Sequence, residues 1–111
     1  MSEDWICERT YQVVVNDEVK PFLVRWMRPA PDPVGDWSCC YRLEWPHRSH
    51  VDRKAFGVDS VQALYSAMQN AASELYTVEP SIFWFEPDDV LGLPVASSIA
   101  DLEAERTKGR P

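Results

Sequence analysis

The apolar residues of this chain change period at Gly57, and that change limits the fold more than any other feature. Before it, "PFLVRWM" (Pro21 to Met27) sets Phe22, Val24 and Trp26 against Leu23, Arg25 and Met27. "WSCCYRLEW" likewise puts Trp37, Cys39, Tyr41, Leu43 and Trp45 on one face and Ser38, Cys40, Arg42 and Glu44 on the other. A period of two belongs to half-buried strands. After Gly57, the residues Val61, Leu64, Met68, Ala71, Ala72 and Leu75 recur at i, i+3 and i+4, which makes one helical stripe. Asp59 is a good N-cap, and Gln62 three residues later completes a capping-box-like pair. With Pro80 beyond it, a helix is expected over about 59–76. Ala67, Ala71 and Ala72 allow close approach, so the stripe should lie buried against a sheet. Gly57 should let the backbone leave the strand in a conformation other residues resist.

The remaining segments fill in around this switch. Ile6 to Val15 reads as a strand, and Asn16 and Asp17 tolerate turn geometry. "RPAPDPVGD" carries three prolines and reads as a loop, because proline removes ladder donors. "PHRSH" turns the chain and "HVDRKAFG" returns it as a fourth strand. "SIFWF" has the content of a short fifth strand, after which Pro87, Gly92 and Pro94 forbid a long element. The fold expected is a single α+β domain over 1–98. It consists of an antiparallel meander of four to five strands with one main helix packed on one face. Residues 99–111 form a C-terminal tail, partly helical or disordered. A chain of 111 residues can build such a core without a metal or disulfide staple.

Charge divides the chain unevenly. Between Ala55 and Glu105 there are nine acids and no Lys or Arg, whereas residues 1–54 are nearly balanced. The total is −7, which argues against nucleic acid as the main partner. The odd cysteine count and the acidic N-terminus fit a cytoplasmic protein with reduced thiols and no membrane segment.

Familiar chemistries do not assemble. Cys39, Cys40, His47 and His50 invite a zinc reading, but adjacent strand residues point to opposite faces, and structural sites space their cysteines further apart. No metal or cofactor is expected. No nucleophile elbow or glycine-rich phosphate loop is present, and no catalytic residue is assigned. Arg48, Arg53 and Lys54 form a local basic patch that reads as a solvated hairpin or a counterweight to the acidic half.

The motifs Gly57-Val58-Asp59-Ser60 with Gln62-Ala63-Leu64, and Leu91-Gly92-Leu93-Pro94, resemble a family of short bacterial proteins defined only as a domain of unknown function. The likeness spans about Ile6 to Pro94. It implies a bacterial source and a compact α+β domain, and it implies no activity. In style the chain is also similar to immunity proteins that neutralise bacterial toxins. The function expected is a protein-binding module for a basic protein partner, centred on Trp84, Glu86, Asp88 and Asp89. Two alternatives stay open: a small enzyme or ligand-binding domain using Trp37, Trp45 and Trp84 to line a pocket, and a homodimer built on an exposed sheet face.

Overall fold

The structure, a computed structural model, describes residues 4–34, 36–87 and 89–107. Long strands β1 (Trp5–Val15), β2 (Glu18–Met27), β4 (Trp37–Glu44) and β5 (Val51–Gly57) are joined in sequence by antiparallel pairing. This is the expected meander. Two further strands of two residues each extend it, β3 (Ala30–Pro31) beside the start of β4 and β6 (Ile82–Phe83) beside β1. The sheet therefore has six strands, above the four to five expected. The expectation failed at "RPAPDPVGD" because β3 lies at the end of a ladder, where a proline's missing N–H costs little. Besides the one main helix expected, α1 (Ser60–Leu75), there is a second, α2 (Ala100–Thr107), in the segment expected to be a partly helical or disordered tail; a 3₁₀ turn at Ser97–Ile99 precedes it.

Local chemistry accounts for the junctions. Val15 pairs with Glu18, so Asn16 and Asp17 alone make the hairpin turn, with φ of 52° and 66°. Positive φ at both positions gives the turn whose twist matches the strands. At α1 the Asp59 carboxylate accepts the N–H of Gln62 (2.8 Å), and the Gln62 side chain accepts the N–H of Val58 (2.6 Å). The reciprocal cap is as expected, except that it reaches one residue further back.

One face of the sheet is the core, built from Tyr11, Val13, Phe22, Val24, Trp26, Cys39, Tyr41, Leu43 and Ala55, all buried. α1 packs over β4 and β5. Its buried stripe keeps Ala71, Ala72 and Leu75 of the one expected but runs on through Ala67 and Ala63 in place of Val61. Ala63, Ala67, Ala71, Ala72 and Leu75 are buried, Leu64 and Met68 are half-buried at the flank, and Val61 is 75% exposed. The cause is space. A Cβ on Gly57 would lie 2.3 Å from the backbone nitrogen of Ala63, so the start of the helix approaches the strand too closely for a large side chain between them. Gly57 keeps an ordinary φ, and its role is this close approach and not an unusual conformation.

Candidate docking surface at the C-terminal end

After β6 the chain makes a tight knuckle whose geometry one carboxylate sets. Asp89 accepts the N–H groups of Trp84 (3.1 Å), Phe85 (2.8 Å) and Glu86 (3.1 Å). Partial burial pushes the Asp89 carboxyl up, but these donors and the nearby Arg106 outweigh it and hold the group below its usual range. The Trp84 ring is clasped between the Arg9 guanidinium (4.2 Å) and the Phe85 ring (4.7 Å). Gln12 donates to the Trp84 carbonyl at 3.0 Å, tying the knuckle to β1.

The "LGLP" motif completes the support. Gly92 has φ +70°, and a Cβ there would meet Trp84 at 2.3 Å, so neither conformation nor space admits another residue. Arg9 donates to the carbonyl of Gly92 (2.7 Å), and the Tyr11 hydroxyl donates to that of Leu91 (2.6 Å). The Leu91 N–H donates to the Tyr76 hydroxyl (3.0 Å), which itself donates to Glu103 of α2 (3.0 Å). Burial pushes Tyr76 up to about 12, so that hydroxyl keeps its proton at any ordinary pH. Arg106 then pins α2, donating to the carbonyls of Asp89 (2.7 Å) and Ile82 with its guanidinium over the Tyr76 ring.

The candidate residues therefore divide. Trp84 and Asp89 belong to the scaffold, Glu86 is exposed on it, and Asp88 lies outside the described residues. Phe85 went unnoticed in the sequence and is 72% exposed. The strand ends at Phe83, and Phe85 stacks on the outer side of Trp84 in the bend that follows. Next to Phe85 in the chain is exposed Glu86, and Val90 is exposed further on; α2, tied to this loop through Arg106 on the Asp89 carbonyl, carries exposed Leu102, Asp101 and Glu105. Other acids of this half act inside the fold: Asp59 as the cap, Glu103 on Tyr76, and Glu74 in a two-pronged pair with Arg53 (3.2 and 3.1 Å).

The other constellations are dispersed. In the basic patch Arg53 meets Glu74, Lys54 meets Asp32 (2.9 Å), and Arg48 lies over Trp45 while reaching the carbonyl of Glu79. Cys39 faces the core, where burial raises it to about 11, and Cys40 points the other way. Among the described residues no three His, Cys, Asp or Glu side chains are placed to hold a metal ion. Trp37 and Trp45 stand at opposite ends of β4, about 26 Å apart at the usual strand rise. They line separate hollows, of about 370 and 270 Å³, and Trp84 lines neither. No helix among the described residues is long and apolar enough to cross a membrane.

An antiparallel sheet with one covered face, a capped helix across it and an aromatic knuckle braced by "LGLP" define an α+β domain. The chain belongs to the domain-of-unknown-function family DUF6968, whose family model matches residues 7–95. That span holds both motifs and the knuckle and stops short of α2. Neither the curated proteins nor the solved structures contain a match to this chain.

Proposed function

We propose that the protein is a binding module that docks a basic protein partner on the Phe85 knuckle and the acids around it. The observation that supports this is the exposed Phe85 ring on a loop that three backbone hydrogen bonds and a clasped Trp84 hold rigid. A large aromatic presented in a fixed position binds without an ordering penalty, and such residues anchor interfaces. Glu86 beside Phe85 in the chain, with Asp101 and Glu105 on α2, adds negative charge at this end of the domain that selects a partner of opposite charge and speeds its approach. A bacterial cytoplasmic immunity-type protein neutralising a basic toxin is the most concrete form of this reading.

Selection of a displayed random-peptide library on the full chain tests it, followed by titration of an enriched peptide. The expected peptides combine basic and apolar residues, and their binding weakens with salt, since exposed charges are screened within about 8–10 Å. Phe85→Ala should weaken binding about thirtyfold, the equivalent of about 2 kcal/mol. Enriched peptides without basic bias, or equal binding by Phe85→Ala, would contradict the reading.

A further inference from the structure

Arg106 is the first Lys or Arg after Lys54, and its guanidinium goes to the backbone of the knuckle. Its Nε donates to the Asp89 carbonyl (2.7 Å), its Nη2 donates to the Ile82 carbonyl, and the group lies over the Tyr76 ring, 5.7 Å from its centre. Two carbonyls and an aromatic face met by one side chain suit the planar fork of a guanidinium. An ammonium is a point charge without that fork. A hollow of about 250 Å³, which Arg106 lines together with Val14, Pro80, Phe83 and Pro87, gives an aliphatic stem an apolar wall.

The receiving groups and their occupant belong to different parts of the molecule. Ile82 and Asp89 stand in β6 and the knuckle, whose shape is kept without α2. Three N–H groups on the Asp89 carboxylate, Gln12 on the Trp84 carbonyl and Arg9 over the Trp84 ring maintain it. Tyr76 caps α1. All three receiving residues lie inside the family match of 7–95, and Arg106 lies beyond it. α2 itself is lightly held. None of residues 100–106 is buried, and a helix of eight residues has little stability alone. It is tied through Arg106 and Glu103 and not through a core side chain. When α2 lifts, carbonyls on either side of Phe85 in the chain lose their donor, and acceptors in that state favour a replacement.

We propose that the Ile82 and Asp89 carbonyls and the Tyr76 ring form an arginine-binding site, filled in cis by Arg106 and taken by an arginine of the basic partner when α2 lifts. The partner's part rests on the docking reading above; the site itself stands without it. While α2 is closed its own arginine competes, so the partner's apparent affinity falls with the fraction of molecules that are open.

Titration of the full chain with N-acetyl-arginine amide and with N-acetyl-lysine amide, followed through backbone amide NMR shifts, tests the proposal. In Arg106→Ala the arginine compound should shift the amides of Phe83 and Val90, which follow the two carbonyls. It should bind at least about fivefold more tightly than the lysine compound, which controls for the charge the substitution removes. The wild type should bind the arginine compound about tenfold more weakly than Arg106→Ala, because its own side chain fills the site. Arg106→Lys keeps the charge of α2 and should fall between the two, which preserves a readout if the alanine variant loosens the fold. Neither compound carries an apolar group for Phe85, so failure of the docking reading would show in the peptide selection and leave this titration unaffected. If Arg106→Ala binds both compounds alike, or binds the arginine compound no more tightly than the wild type does, the proposal is overturned.

Discussion

The two helices of this domain are attached by opposite physics. α1 runs 16 residues with one charged side chain, and a row of alanines brings it down onto β4 and β5. α2 runs eight residues, four of them charged (Asp101, Glu103, Glu105 and Arg106), and holds through polar contacts: Arg106 on two carbonyls and Glu103 on the Tyr76 hydroxyl. Apolar attachment depends on side-chain size and tolerates no bulk. Polar attachment depends on a few donors and yields when one is lost. The pairing also explains why the outer surfaces differ, one uncharged and apolar, the other acidic around a single aromatic.

The sharpest way to break the first attachment is Gly57→Ala, whose added Cβ meets the backbone of α1 and not a movable side chain. It should destabilise the domain by about 3 kcal/mol in denaturant unfolding, in the range of overpacked cores. Asp89→Ala strikes the second, because it frees three N–H groups in the loop on which α2 rests. A cost of about 2 kcal/mol is expected at neutral pH, measured in the same way. The folded Asp89 carboxyl lies below its ordinary value of 3.8, so its contribution is complete above that value and is lost as pH falls through the folded one. Wild type and Asp89→Ala should therefore converge in stability under acid and diverge above about pH 4.

Smaller effects sharpen the contrast. Asp59→Ala removes the cap of α1 and should cost about 1 kcal/mol of global stability. Arg106→Ala should scarcely move the unfolding midpoint, yet amide exchange in residues 100–107 should accelerate because that segment opens on its own. A large shift of the midpoint with unchanged local exchange would show that α2 is part of the core.

Much of the sheet was legible because alternation fixes which side of a strand is buried. The inward sets Phe22, Val24, Trp26 and Cys39, Tyr41, Leu43 are buried as the pattern indicates. Turn and cap chemistry at Asn16, Asp17 and Asp59 was equally readable, since each satisfies a local backbone need. The buried side of α1 was not. Periodicity reports that apolar stripes exist, but Val61–Leu64–Met68 (i, i+3, i+7) and Ala63–Ala67–Ala71 (i, i+4, i+8) both fit a helical face. Only the distance between helix and sheet chooses between them, and Gly57 sets that distance from another element. At two residues β3 escapes periodicity, whereas β6 falls inside "SIFWF", which composition marked as a short fifth strand. Trp84 looked like a surface feature because Arg9, whose guanidinium lies over its ring, is remote in sequence, whereas the donors to Asp89 are the local N–H groups of Trp84, Phe85 and Glu86.

The central claim is that α1 turns its alanines and Leu75 to the sheet and Val61 and Tyr65 outward. Urea unfolding of Val61→Lys beside Ala67→Lys, at protein concentrations too low for association, tests it most directly. Val61→Lys should stay within about 0.5 kcal/mol of wild type, as exposed substitutions do. Ala67→Lys buries a charge at a position with no exposure and should cost at least about 3 kcal/mol or abolish folding. The reverse order, with Val61→Lys destructive and Ala67→Lys tolerated, would contradict the account.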